Sequence, residues 1–428
     1  MSATAPDQLA IAEAPGRVSW RIWAACVLML LATALNYMDR QALAQQASDV
    51  QAELKLTNEH YGNLEFWFGI AFAVGGVGTG FLVDWFSLRW LYPAILLGWS
   101  TVGFLTGGAN SYNELLIYRI LLGFFEAGQW PCALAASQRL LSRGNRALGN
   151  SILQSGASLG AIITPLVVLA LNSGGIGGWR TPFRVIGALG AVWVVAWLIM
   201  IRPRDLDAPE SPAEPGKAGD VETVDRATTI RRIAALIVVV IAINLCWQYF
   251  RAWMPKMLEK EHGYGKAAVQ WFSSAYYVAA GVGCLAAGVL SRRLADRGWT
   301  VHGARMATFA ACVGLTSLSL AAAYLPASPL LLVLLLAIGF GSLGQFPTYY
   351  AFTQEISTRW MGRVTGLFSF AAWVVTGAAH PLIGRWIDRT GSYALPNALA
   401  GLAPAVALVA LLVLWNAGDR RRGPARAS

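Results

Sequence analysis

The chain has 428 residues, of which 56% are hydrophobic and only 13% charged, against about a quarter charged in a soluble domain. That balance excludes a soluble globular protein, and the net charge of +10 reads as loop arginines that set membrane orientation rather than as a nucleic-acid surface. Cys26, Cys132, Cys246, Cys284 and Cys312 lie in apolar stretches without framework or metal-ligand spacing, which suggests neither disulfides nor a zinc site.

Residues 1–19 are small and polar with both signs of charge, and read as a cytoplasmic tail without a cleavable signal peptide. Apolar segments of bilayer length follow at about 20–46, 60–84, 89–109, 113–138, 146–171 and 182–202. The composition then changes. Residues 203–230 hold Pro203, Pro209, Pro212 and Pro215 among acids such as Asp205, Asp207, Glu210 and Glu214, the composition of a solvated linker. A second set of segments lies at about 231–256, 267–290, 302–323, 328–354, 363–385 and 393–416, and 417–428 forms a second tail. The fold expected is an all-α polytopic membrane protein of twelve spans in two pseudo-symmetric bundles, 20–202 and 231–416. Pro165 and Pro381 stand at matching places in the two, and such repeats commonly enclose a substrate site near the midplane. Arg139, Arg143 and Arg146, then Arg292, Arg293 and Arg297, then Arg359 and Arg363, then Arg420, Arg421 and Arg422 all fall on the side of the termini, which makes that side cytoplasmic.

The first span carries Asn36-Tyr37-Met38-Asp39-Arg40, with Ala42, Leu43 and Ala44 beyond. A guanidinium inside a membrane helix costs a few kcal/mol (~3) on insertion scales. Arg40 is therefore expected to grip a carboxylate through two N–H donors, against the alternative of snorkelling to the interface. Glu126 lies deep in the fourth span. Arg119, Gly123 and Glu126 share a helix face, which suits Glu126 either for carrying a proton or for a static ion pair. Tyr37 and Gln154 offer hydrogen bonds to hydroxyls. In the seventh span Asn244, Gln248 and Arg251 form a stripe beside Trp247. Arg251 reads either a second acidic group or, the reading favoured, Glu259 or a lipid headgroup outside. Gln345, Ser369 and Trp373 are further cavity candidates. Glu65 is placed facing the outer vestibule, and His380 either carries a proton or, the reading favoured, is bonded to a neighbour. Gly156 with Gly160, and Gly76 with Gly80, have the small-x-x-x-small spacing of close helix approach.

Gly80-x-Leu82-x-Asp84-x-x-x-x-Arg89 and Arg119-x-x-x-Gly123 resemble signature motifs of the major facilitator superfamily. Within it the chain looks most like the anion:cation symporters, the group of bacterial hexuronate and aldonate transporters. That likeness rests on the Asn36–Arg40 run, on Arg119-Ile-Leu-Leu-Gly123-Phe-Phe-Glu126-Ala-Gly128, on Gln154-Ser155-Gly156-Ala157-Ser158-Leu159-Gly160, on Gly178-Trp179-Arg180 and on Trp253-Met254-Pro255-Lys256. The resemblance implies that Arg40 binds the substrate carboxylate, that Tyr37 and Gln154 line the site, and that Asp39 and Glu126 take part in proton coupling. It also implies that Asp39 pairs with Arg119 in the coupling set, which leaves Asp39 either a second proton site or a structural partner that orients Arg40, and that Asp84 and Arg89 form a cytoplasmic gate with charges of the neighbouring helix ends. Phe72 stands where sugar-acid transporters of the group have a tyrosine, so a hydroxyl is lost there. Gly160 is followed by Ala161 rather than by the proline of antiporters, which favours symport.

The reading is a proton-coupled symporter for a small organic anion, in the first place a sugar acid. It needs no cofactor beyond the coupling proton, with sodium left open. The chain works as a monomer in the bilayer of a bacterial inner membrane, both termini cytoplasmic, and binds no nucleic acid. An exporter on the same fold and an anion sensor are the alternatives. No nucleophile–base set, nucleotide loop or metal cluster points to an enzyme.

Overall fold

The structure, a computed structural model, describes residues 20–141, 143–172, 177–206, 226–355 and 361–415. The tails 1–19 and 417–428, most of the linker, Arg359 and the side chains of Arg143, Arg146 and Arg363 lie outside this set.

The described chain is helical: α1 (Trp20–Leu54), α2 (Asn58–Trp85), α3 (Leu88–Thr106), α4 (Tyr112–Glu126), α5 (Gln129–Leu140), α6 (Arg143–Leu171), α7 (Arg180–Met200), a single turn α8 (Pro203–Leu206), α9 (Arg226–Lys260), α10 (Lys266–Asp296), α11 (Val301–Ser317), α12 (Ser319–Ala322), α13 (Pro329–Gly344), α14 (Phe346–Gln354), α15 (Met361–Thr390) and α16 (Ala394–Ala410). Taken end to end, α4–α5, α11–α12 and α13–α14 are each one rod with a break, so six rods stand on either side of the linker. Helix α9 begins at Arg226, so the end of the segment read as linker is already helical.

Two of the breaks have one cause. Pro131 and Pro347 sit just after Gln129 and Gln345. Proline has no N–H and clashes with the carbonyl four residues back, so each rod restarts there. The two prolines stand at the spacing that also separates Pro165 from Pro381, which makes the internal repeat visible in backbone geometry.

Nine helices among the described residues are long and apolar enough to cross a membrane. Of the remaining rods, α1 and α4–α5 hold Arg40, Asp39, Arg119 and Glu126. The outward faces are apolar: on α7, Val185, Leu189, Val192, Val195 and Ile199 recur at helical spacing and are all exposed, a surface that only lipid can cover.

Close helix approach occurs at one of the two expected glycine pairs. A Cβ at Gly156 or Gly160 would sit 2.2 Å from the Leu30 carbonyl oxygen or 2.4 Å from that of Ala34, so α6 lies backbone to backbone on α1. At Gly80 a Cβ would meet nothing within 4 Å, and at Gly76 only the Ala127 methyl at 4.0 Å. That pair is a motif without a close contact here, and the neighbouring Gly75 makes the approach instead, 2.4 Å from the Phe124 carbonyl oxygen.

The two bundles are joined at the end opposite the linker. Asp388 on α15 accepts from the Asn58 and Glu59 backbone N–H groups at 2.9 and 2.8 Å, capping the first turn of α2 from the other bundle. Arg385 donates to Glu59 at 2.7 Å, Tyr61 to the Ala252 carbonyl at 2.8 Å, and Tyr277 to Gln41 at 2.8 Å. Lys256 bonds Asn58 and Lys266 bonds Asp49. Buried apolar packing follows the same division. Cys246, Phe250, Trp253 and Leu258 of α9 are continuous with the core of the first bundle. The linker-side stretch Ala235–Ile243 packs instead with Phe309, Phe352, Phe368 and Trp415 of its own bundle.

Candidate functional site

Two buried ionic clusters stand side by side between the bundles. In the first, Arg40 on α1 donates from Nε and Nη2 to one oxygen of Glu126, Oε2, at 3.1 and 3.0 Å. Nη2 also donates to Asn36 Oδ1 at 3.2 Å, one helical turn earlier. Asn36 in turn donates to the backbone carbonyl of Glu126 at 3.2 Å. That carbonyl ends α4 and loses its helical partner at the break, so the break and the asparagine together aim the carboxylate at α1. Four rings surround the guanidinium: Phe72 at 4.8 Å, Tyr37 at 5.1 Å, and Phe68 and Trp373 at 5.5 Å each. Trp373 comes from the second bundle. Among the described residues Nη1 takes part in no hydrogen bond, and Arg40 retains 5% exposure.

The second cluster overturns two expectations. Glu65 does not face an outer vestibule: it is buried, and accepts from Arg119 at 3.0 Å and from Arg251. Arg251 does not reach Glu259 or the surface. Gln248 accepts from its Nε, and Glu65 holds its other edge. The reason is helix register. Arg251 stands one turn before Pro255 on the inward face of α9, and Glu65 is drawn in from α2 to neutralise it. The Phe68 ring separates the clusters, 4.4 Å from the guanidinium carbon of Arg119 and 5.5 Å from that of Arg40.

Asp39 departs from the expected pairing with Arg119, because Glu65 takes that arginine. Both carboxylate oxygens of Asp39 are buried without a hydrogen-bond partner among the described residues. The residue lies against α3, where a Cβ on Gly103 would come within 2.6 Å of Oδ1. Arg89, expected in a cytoplasmic gate with neighbouring helix ends, reaches the end of α7. It donates to the carbonyls of Leu198, at 3.2 Å, and Ile201, capping the end of α7. Asp84 is exposed and makes no ion pair among the described residues.

The remaining candidates are dispersed. Gln154 on α6 and Ser369 on α15 are exposed. Trp247 is half-buried, its ring 6.0 Å from Tyr277. Gln345 is fully buried at the α13–α14 break and donates to Thr316 at 3.4 Å. None of these four hydrogen-bonds to Arg40. His380 accepts from the Trp253 indole at 3.0 Å, a satisfied partner as expected. Gly178-Trp179-Arg180 is structural. Arg180 pairs with Glu53, and the Trp179 indole and the Gly177 N–H both donate to Glu53 at 2.9 Å, which ties the end of α1 to the start of α7. Sequence reading missed Phe68 and misplaced Glu65. Glu65, Phe68 and Phe72 are spaced three and four apart, so a common face of α2 was there to be read.

An all-helical pair of six-rod bundles with buried charges at their seam is the architecture of a secondary transporter. The sequence model of the Major Facilitator Superfamily matches residues 29–379, and the chain belongs to that superfamily: it is a multi-pass membrane transporter, not an enzyme. The probable sulfoacetate transporter SauU of Cupriavidus necator is 27% identical over 404 residues, 90% of this chain and 92% of that one. The hexuronate transporter of Escherichia coli K12 is 25% identical over 63% of this chain and 64% of its own length. The D-galactonate transporter of Escherichia coli O6:H1 is 23% identical over 96% and 98%. Among solved structures, a bacterial homolog of the human lysosomal transporter Spinster, inward-facing and unoccupied, superposes with a TM-score of 0.72 at 16% identity, covering 95% of this chain and 99% of that one.

Proposed function

We propose that the protein imports a small organic anion, in the first place a sugar acid such as a hexuronate or an aldonate, by proton-coupled symport with alternating access. The observation that carries this is Arg40, ringed by four aromatic groups, with one edge on Glu126 and Nη1 uncommitted. The acids carried by the three curated relatives support the substrate class. With the arginine clusters on the side of the termini, this reading turns the sealed end outward and the linker side to the cytoplasm, and takes a chain sealed outside as inward-facing.

Coupling follows from competition for one guanidinium. A carboxylate buried with its counter-ion removed costs several kcal/mol (~3–5), so an incoming anion displaces Glu126 from Arg40 only if Glu126 takes a proton. The freed Nε/Nη2 edge then grips the substrate carboxylate bidentately. When the proton leaves to the cytoplasm, Glu126 reclaims Arg40 and expels the anion. Asp39, buried with no donor to either oxygen, is the second place where a proton removes a desolvation cost. Trp373 and Phe72 present flat faces to the C–H side of a sugar chain, Tyr37 offers a hydroxyl, and Gln154 and Ser369, both exposed, are the further hydroxyl partners of this reading. In the Glu65–Arg119–Arg251 cluster one carboxylate is shared by two guanidinium groups across the bundles, with Arg119 Nε and Nη1 and Arg251 Nη1 left without partners among the described residues; its part in this reading is to hold the bundles together. The protein works as a monomer in the inner membrane.

The test is uptake into proteoliposomes of radiolabelled D-galactonate and glucuronate, with D-galactose as the neutral comparator, with and without an inward proton gradient in sodium-free buffer. Gradient-driven uptake of an acid but not of galactose is the expected outcome. Uptake of an acid only when sodium is added would replace the proton by sodium, and undiminished uptake by Arg40→Ala protein would remove Arg40 from the site.

A further inference from the structure

One to two turns beyond Arg40 on α1, a cavity of about 240 Å³ lies between the bundles, walled by α1, α6, α9 and α10. It is smaller than the pockets of drug-sized ligands, which begin near ~300 Å³. Several of the residues that line it carry buried polar atoms without partners among the described residues. The Gln46 amide nitrogen donates to the Ala42 carbonyl at 3.4 Å, and that of Gln270 donates to the Gln45 carbonyl at 2.9 Å. Those bonds fix which end of each amide is nitrogen, so Gln46 Oε1 and Gln270 Oε1 are acceptors. Neither has a partner, nor has either end of Gln45 or the Ser48 hydroxyl. All four residues are more than nine-tenths buried, at 2% exposure for Gln46, 5% for Gln270, 6% for Ser48 and 7% for Gln45. Buried polar groups are normally satisfied, and acceptors in this number call for a ligand that donates.

Charge points the same way. Lys266 is matched by Asp49, and Glu259 by Lys260 at 3.6 Å. Lys256 makes no ion pair among the described residues. Its ammonium bonds the neutral Asn58 amide and faces the rings of Tyr61 and Trp253 at 5.6 and 5.7 Å, while the residue is 5% exposed. Asp388, the acid of the neighbouring recess, is taken up by the side-chain and backbone donors of Asn58 and by the Glu59 N–H, so the buried ammonium is left without a direct counter-ion among the described residues. A second recess, of about 380 Å³, shares Ser48 and Lys256 with the first and is lined by Lys260 and Gly391, both exposed, which gives a route to the outer surface.

We propose that this cavity is a second, outer binding site for a small hydroxylated carboxylate, with Lys256 meeting the carboxylate and Gln46, Gln270, Gln45 and Ser48 meeting the hydroxyls. The ligand class rests on the substrate reading above; the existence of a second site does not depend on Arg40. Because α1 and α6 belong to one bundle and α9 and α10 to the other, the site comes apart when the outer end opens. Ligand held there stabilises the inward-facing state and is passed towards Arg40 when the bundles part.

Equilibrium dialysis of radiolabelled D-galactonate, glucuronate and sulfoacetate against purified protein in detergent decides the matter. Wild type is expected to bind two equivalents of one acid, Arg40→Ala one, and Arg40→Ala/Lys256→Gln none. Gln46→Leu and Gln270→Leu, each in the Arg40→Ala background, weaken binding at least tenfold, and they decide the outcome if Lys256→Gln does not fold. Galactose and propionate, each lacking half of the recognition set, are expected not to bind to the Arg40→Ala protein. If wild type binds one equivalent and Arg40→Ala none, the outer site is overturned and the central one stands. Unchanged binding in the Lys256 and glutamine variants also overturns it. If wild type binds none of the three acids, the substrate reading falls, and with it the ligand assigned here.

Discussion

Glu65 on α2 and Arg251 on α9 form a buried ion pair across the two bundles, 186 residues apart in sequence. Glu65 also holds Arg119 of its own bundle, so one carboxylate serves two guanidinium groups. Removing it leaves two buried cations facing each other. Glu65→Ala is expected to destabilise the protein by about 3–5 kcal/mol, seen as a lowered melting temperature in detergent. Arg251→Met should cost less, because Glu65 keeps Arg119, and the double variant should show strong non-additivity. Additive losses would mean that the two side chains are independent.

Arg40 and Glu126 answer differently in uptake and in stability. Arg40→Ala removes the anion grip and strands Glu126, so both uptake and melting temperature fall. Arg40→Ala/Glu126→Gln is expected to recover stability, since no charge is left unpaired, while uptake stays at least about tenfold down, as loss of a charge-assisted bond of about 1.5–3 kcal/mol requires. Recovered uptake in the double variant would show that Arg40 only balances Glu126.

The seal depends on two glycines. A Cβ at Gly62 would come 2.4 Å from the His380 carbonyl oxygen, and one at Gly384 would come 2.3 Å from that of Asn58. Gly62→Leu should prise α2 from α15 and open the outer end. Alkylation of a cysteine placed at Gln45 by a membrane-impermeant maleimide is expected to become faster in that variant than in a Gly62 control. Unchanged alkylation would show that the seal does not depend on this approach.

Arg89 acts on α7 rather than through Asp84. Arg89→Ala uncaps two carbonyls and should cost about 1 kcal/mol of stability, whereas Asp84→Asn should leave the melting temperature where it is. Equal effects on uptake from both substitutions would show that the two residues act together in one gate.

Glu53, beyond the apolar part of α1, gives the pH dependence a sign. Burial pushes its carboxyl up, but the hydrogen bonds from Arg180, Trp179 and Gly177 and the charge of Arg180 outweigh it, and the group stays below its ordinary value of 4.5. A lowered folded-state value contributes stability that is fully present above the unfolded value and is lost as pH falls through the folded one. The stability gap between wild type and Glu53→Gln should therefore be constant above about pH 5.5 and narrow below 4.5. A gap that widens on acidification would reverse the assignment.

Amino-acid order alone determines the helices of this protein and the charges they bury. Hydropathy fixes bilayer-length helices because lipid leaves backbone groups no partner but their own helix. Proline spacing exposes the repeat, and the expense of burying charge singles out Arg40, Asp39, Arg119 and Glu126. Partner choice is decided only by the tertiary structure. The family resemblance offers Arg119 only Asp39, and it is the rotation of α2 against α4 and α9 that gives it Glu65 and leaves Asp39 bare. Arg251 looks peripheral in the sequence because its position along the helix is readable there and its facing is not. The outer cavity is out of reach as well. Gln45 and Gln46 belong to one bundle and Gln270 to the other, and whether an amide oxygen finds a partner is decided only when helices from both close over it.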